Sequence, residues 1–165
     1  MSEESESVAI WRASAAEIDT AFGLVGEYYE AASVVARESR EEFANEYFGE
    51  RAGIWLAGVD GELAGCIGLR KITPLDASDA ENGLCAEIKR MYVRQKFRGH
   101  GIAARLLRAA EDFARQEGYA RIYLDTASEM VAAARLYERN GYERCARYNE
   151  NPQAAIFMRK AIGKA

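Results

Sequence analysis

The chain has 165 residues, 26 Asp and Glu against 22 Lys and Arg, 49% hydrophobic and 29% charged content, and a formal net charge of −4. That length and balance suit one globular domain with a sizeable core, and the acidic excess argues against nucleic acid as a partner, since a nucleic-acid binder carries a net basic face. No apolar run is long enough to span a bilayer, so no membrane partner is expected either.

Met1 to Ser7 are acidic and Ser-rich and lack the basic and apolar parts of a signal peptide. Residues 1–7 therefore read as a disordered start, residues 8–165 as a single domain, and the location as cytoplasmic. Cys66, Cys85 and Cys145 are odd in number and have no metal-ligand spacing. They read as thiols in a reducing compartment, and no catalytic metal is implied.

Val8 to Arg12 reads as a strand, and Ser14-x-x-Glu17 as a capping box before a helix with Ile18, Phe22, Val25 and Tyr29 on its apolar face. Ser39-x-x-Glu42 opens a short helix with Phe43 and Tyr47 one turn apart. Ile54 to Val59 and Glu62 to Lys71 flank Asp60-Gly61, a hairpin signal. The second of these strands is apolar or small on both faces, which predicts a central place in the sheet. Thr73 to Gly83 is a polar, acidic loop, and Cys85 to Val93 is the next strand. A helix burying Ile102, Leu106, Ala110 and Phe113 stops at Gly118, and Arg121 to Asp125 is a strand. Thr126-x-x-Glu129 reads as a third capping box, before a helix that carries Tyr137 and ends at Gly141. Glu143 to Tyr148 and Ala154 to Arg159 complete the strands. Strands and helices in this order fit a mixed α/β sheet with helices on both faces.

The most informative segment lies between strand and helix, at Arg94-Gln95-Lys96-Phe97-Arg98-Gly99-His100-Gly101. Two glycines permit a tight turn. The first helical turn leaves N–H groups without intrahelical partners, and the helix dipole together with Lys96 and Arg98 favours an anion there. The turn lacks the Gly-Lys-Ser/Thr ending that holds a nucleotide and its magnesium, and it lacks the three-glycine dinucleotide fingerprint.

Arg98-x-x-Gly101-x-Ala103, after a strand ending in Tyr92-Val93, resembles the pyrophosphate loop of the GNAT superfamily of acyl-CoA N-acyltransferases. Cys85 to Val93 resembles that family's central strand, and Leu136-Tyr137 followed by Gly141-Tyr142 resembles its second landmark. Tyr148-Asn149-Glu150-Asn151-Pro152 with Ile156-Phe157-Met158 matches one bacterial branch, acting on small molecules, and the resemblance spans residues 8 to 160. It implies a mixed, mostly antiparallel sheet of about seven strands flanked by about four helices, split in a V between the fourth and fifth strands to admit acyl-CoA. It further implies acetyl-CoA as acyl donor, held at Met91, Tyr92, Val93, Arg98, Gly99, His100, Gly101, Ile102, Ala103 and Ala104. The second substrate is then an amine-bearing small molecule, and small homodimers are common among such proteins.

Acyl transfer to an amine needs a proton acceptor, an oxyanion donor and a proton for the thiolate. The resemblance puts Tyr137 at the thioester sulfur as proton donor and Glu87 near the amine as base, directly or through water. Apart from the resemblance, Tyr137 reads as a core tyrosine and Glu87 as an ion-pair partner of Lys89 or Arg90. Strand parity separates Lys89 from Arg90, and a bulge, common in this strand of the family, would exchange the sides beyond it. Either cation could reach an anionic group on the substrate, or both could belong to an internal network. Asp125, Thr126, Tyr148 and Asn149 are further candidates for the acceptor pocket, each equally readable as a cap or turn residue. Many family members have Asn where this chain has Met130, which cannot make the same hydrogen bonds. A peptide-amine acetyltransferase and a non-catalytic acyl-CoA sensor are the competing readings.

Overall fold

The computed structural model describes residues 5–75 and 83–163. Most of the expected acidic loop, and the first four residues of the expected disordered start, lie outside them.

Seven strands form one sheet: β1 (Val8–Arg12), β2 (Gly53–Val59), β3 (Glu62–Ile72), β4 (Cys85–Val93), β5 (Arg121–Thr126), β6 (Glu143–Arg144) and β7 (Ile156–Ala161). Their order is β1-β2-β3-β4-β5-β7-β6, antiparallel except for the parallel pair β4–β5. Among the described residues the helices are α1 (Ile18–Ala31), α2 (Arg40–Tyr47), α3 (Ile102–Gln116) and α4 (Val131–Arg139). This is the mixed, mostly antiparallel sheet with four helices that the family resemblance implies. The β4–β5 ladder has three pairs, Cys85↔Arg121, Ala86↔Ile122 and Glu87↔Tyr123. Beyond Glu87 the two strands part, while β5 continues to pair with β7 as far as Thr126↔Ile156.

The chain forms two compact units, one from the residues up to Gly68 with Arg90–Ala110, the other from Leu69–Lys89 with the residues from Glu111 onward. The first unit packs Ala21, Leu24, Val25 and Tyr29 of α1 with Phe43 and Tyr47 of α2, Ile54 and Leu56 of β2 and Cys66 of β3. Phe22 is only half-buried, because it lies at the flank of α1 against the Phe43 ring, 5.4 Å away. The expected hairpin forms, with positive φ at both Asp60 (49°) and Gly61 (82°), the twist that matches antiparallel strands. The second unit has an aromatic cluster in which Tyr148 packs on Tyr123 (4.9 Å between ring centres) and Phe157 (5.7 Å). Beside it a buried carboxylate, Glu111, accepts from Lys160 Nζ (2.7 Å) and the Tyr142 hydroxyl (3.2 Å).

Two of the three expected capping boxes form. Glu17 accepts from the Ser14 N–H (3.0 Å), and Ser39 Oγ accepts from the Glu42 N–H (3.2 Å) while Glu42 accepts from the Ser39 N–H (2.7 Å). The third does not, because Thr126 is still committed to the β5–β7 ladder; α4 starts at Val131, and Met130 at its N-cap makes no side-chain cap bond. The expected strand from Glu143 to Tyr148 shortens to two residues. Beyond Cys145, whose N–H bonds the Phe157 carbonyl at 2.9 Å, the chain leaves the ladder, because the Arg147 guanidinium gathers the carbonyls of Asn149, Asn151 and Ala154 into a loop.

This difference between the boxes is measurable. Ser39→Ala should lower unfolding free energy by about 1 kcal/mol in chemical denaturation, the usual worth of an N-cap. Thr126→Val, which keeps the ladder and removes no cap, should cost less than half of that.

Candidate active site

In the first unit, β4 runs into a short 3-10 turn at Gln95–Phe97, Arg98 is extended, and Gly99 and Gly101 take φ of 84° and 74° before α3 opens at Ile102. These left-handed positions call for glycine, and a Cβ on either would meet nothing within 4 Å. The face of the turn is therefore open. The first α-helical bond is Arg105 N–H to the Gly101 carbonyl (3.2 Å), so the N–H groups of Ile102, Ala103 and Ala104 lie ahead of the helical ladder. Open space, orphan donors and the helix dipole make this turn fit an anionic diphosphate.

Its side chains are arranged differently from the simple basic turn read in sequence. Lys96 is paired with Glu62 (2.6 Å) and covers the Phe97 ring. Arg98 folds back, with Nε on the Val93 carbonyl at 3.0 Å, and His100 Nδ1 lies 2.7 Å from Glu6. The backbone is therefore the main anion-receiving surface. Met91, Tyr92 and Val93 lead into the turn and are half-buried; the Tyr92 ring packs on Tyr28 of α1.

Within β4, Arg90 takes φ 59°, a left-handed conformation that costs a non-glycine residue about 1–3 kcal/mol. Arg90 Nη2 donates to Glu38 Oε1 (2.9 Å), its guanidinium lies 5.0 Å from the Tyr29 ring centre, and the Tyr29 hydroxyl donates to Glu38 Oε2 (2.8 Å). The Cys66 thiol donates to the Arg90 carbonyl (3.2 Å), and burial pushes that thiol up to about 12, far from a reactive thiolate. Burial also pushes the Tyr29 phenol up to about 12. Burial would raise the Glu38 carboxyl as well, but hydrogen bonding to Glu46 and the nearby Arg90 charge, with Tyr29, hold it below the usual carboxylate range.

In the second unit, five of the sequence-selected residues meet in one hydrogen-bonded cluster where the β4–β5 ladder ends. Glu87 is 1% exposed. Its Oε1 accepts from Arg70 Nε (3.0 Å) and Nη2 (2.9 Å); its Oε2 accepts from the Tyr148 hydroxyl (2.6 Å) and Asn149 Nδ2 (3.2 Å). Lys89 Nζ lies 3.7 Å from the same carboxylate and donates to Asp125 at 3.0 Å, reaching from β4 to β5 where the ladder has stopped. Asp125 also accepts from the side-chain amides of Asn149 and Asn151. Burial pushes the Tyr148 phenol far up, and the charges of Glu87 and Asp125 add to it. Thr126 stands apart: its carbonyl accepts from Ala155 N–H (3.1 Å) at the end of β5. Tyr137 is buried on α4, its ring 5.8 Å from that of Tyr142, and its carbonyl closes the helix through the N–H groups of Asn140 and Tyr142.

Lys89 and Arg90 thus have different partners, and Glu87 pairs with Arg70 and Lys89. Arg70, Asn151, Arg147 and Glu38 escaped the sequence reading. Arg70 carried a signal, the first of two charges, Arg70-Lys71, that close the two-sided apolar run of β3; Glu38 had none, since its partner lies 52 residues away.

A model of the Acetyltransferase (GNAT) family matches residues 19–142, and the chain belongs to that family. It is 32% identical over 124 residues to "Probable N-acetyltransferase camello" of Xenopus tropicalis, a match covering 74% of this chain and 53% of that protein. It is 36% identical over 88 residues to "N-acetylaspartate synthetase" of Rattus norvegicus, covering 53% of this chain and 27% of that one. The chain thus spans about half, or less, of the length of these curated relatives. The crystal structure of a PaiA N-acetyltransferase from Thermoplasma acidophilum, in complex with coenzyme A, shares the fold with TM-score 0.71 and 20% identity over 94% of this chain and 99% of that one.

Because Glu38 is held below the ordinary carboxylate value near 4.5, its stabilising contribution is complete above that pH and fades as pH falls through the lower folded value. Urea denaturation across pH should therefore find the wild type more stable than Glu38→Gln at neutral pH, with the gap closing on acidification. A gap that is constant from pH 7 to pH 3 would refute the Glu38–Arg90 contribution.

Proposed function

We propose that this chain is an acetyl-CoA-dependent N-acetyltransferase that acts on the primary amine of a small molecule by direct attack in a ternary complex. The observation that carries the reading is the Arg98–Ala104 turn, whose two left-handed glycines and orphan helix N–H groups present backbone donors to open space. The turn would hold the diphosphate of the acyl donor, Tyr137 would return a proton to the departing thiolate, and the Glu87 cluster would accept the proton of the amine. Burial of that cluster supports a compact acceptor over a long polypeptide. A relative whose name specifies an N-acetylated amino acid supports amino acids as the first acceptors to try.

Free-thiol release from acetyl-CoA, followed against amino acids, polyamines, aminoglycosides and short peptides, tests the reading. Acceptor-dependent release with a small amine is expected. Turnover with peptides alone would reassign the acceptor, and tight acetyl-CoA binding with no turnover would make the chain a sensor. Tyr137→Phe should lower kcat by about 10²–10⁴-fold, as loss of a positioned acid does. Gly101→Val forces a β-branched residue into a left-handed conformation costing about 1–2 kcal/mol; the free turn escapes that strain by leaving this geometry and binding must restore it, so calorimetry should show acetyl-CoA bound about tenfold more weakly.

A further inference from the structure

Glu87 has no lone pair left for an amine. A carboxylate offers about four acceptor sites. Arg70 fills those of Oε1 with two N–H groups, and Tyr148 and Asn149 fill those of Oε2. Glu87 is also 1% exposed, so it is reached through the groups that cover it. Of its donors, guanidinium and amide keep their protons. Only the phenol of Tyr148 carries both an O–H to give and free lone pairs to receive.

We propose that Tyr148 is the catalytic group that meets the acceptor amine, and that Glu87 acts behind it as the sink of a two-proton relay. The proposal rests on the amine-acetylation reading above. As the amine nitrogen forms its bond to the acyl carbon, an N–H bond breaks and that proton binds Tyr148 Oη. The original Tyr148 O–H breaks in the same event, and its proton crosses 2.6 Å to Glu87 Oε2. The electron pair of the thioester C–S bond leaves on sulfur, and Glu87 returns its proton to solvent through Tyr148 after product release. Burial and the charges of Glu87 and Asp125 keep the phenol from ionising beforehand, so it can accept a proton only by passing one on.

The loop after β6 is built to hold this geometry. The Tyr148 ring is wedged between Tyr123 and Phe157, and its carbonyl accepts from Leu75 N–H at 3.2 Å. Arg147 lies over the Phe157 ring at 4.6 Å and donates to the carbonyls of Asn149, Asn151 and Ala154. Asn151 N–H bonds Asn149 Oδ1 (3.1 Å), which leaves the Asn149 amide to bridge Glu87 and Asp125. Asn149 and Arg147 are thus positioning residues for the relay.

A double-mutant cycle decides the matter. With the acceptor found above, Tyr148→Phe and Glu87→Gln should each lower kcat by about 10²–10⁴-fold, with acetyl-CoA affinity unchanged by calorimetry. The double variant should be no more than about threefold worse than the worse single one, since residues acting as one unit are not additive. Additive losses, or Tyr148→Phe within about threefold of wild type, would overturn the relay and leave the acetyltransferase reading standing. If Tyr148→Phe fails to fold, a proton inventory of kcat/KM on the wild type replaces it: a curved dependence on deuterium fraction is expected, and a linear one overturns the relay. A wild type that acetylates no amine overturns both readings.

Discussion

A carboxylate removed from water at the end of a parallel β-ladder sets the terms for the second unit. An ion in that place costs several kcal/mol unless partners compensate it. Arg70 from β3, Tyr148 and Asn149 from the loop after β6, and Lys89 from β4 itself converge on Glu87 for that reason. Lys89 brings in Asp125, and Asp125 brings in Asn151. The result is an assembly of two cations and two carboxylates in which truncating any one of the four side chains would leave a buried partner unpaired. Such an arrangement fixes rotamers, which proton transfer over short distances requires.

Arg90 plays the matching part in the first unit. Neighbouring residues of a strand point to opposite faces, so the two adjacent cations of β4 serve separate carboxylates, Lys89 meeting Asp125 and Arg90 meeting Glu38. The strain of the left-handed Arg90 backbone is offset locally by the Glu38 ion pair, the Tyr29 ring and the Cys66 thiol on the Arg90 carbonyl. Both cations are spent internally. Of the two possibilities open in the sequence, the internal network is the one these ion pairs form, with Arg90 Nε buried and without a hydrogen-bond partner among the described residues.

Much of the fold was legible because short-range rules governed it. Asp60-Gly61 specified its hairpin through two positive φ values, Ser39 and Glu42 closed their box within four residues, and the two-sided apolar run of β3 is buried as a central strand must be. Thr126 misled because a distant strand, β7, had prior claim on its backbone. The turn at Gly99 and Gly101 was legible in its backbone and not in its side chains, since the pairing of Lys96 with Glu62 spans 34 residues.

The sequence by itself determined the family, the glycine turn between β4 and α3, and five of the polar residues that meet at the end of the β4–β5 ladder. These depend on residue type and near-neighbour spacing, which the linear chain carries directly. Only the tertiary structure decided which charges pair, and that Glu87 is filled by four donors, one of them the Tyr148 hydroxyl. Those outcomes depend on contacts tens of residues apart, which leave no periodic mark in the sequence.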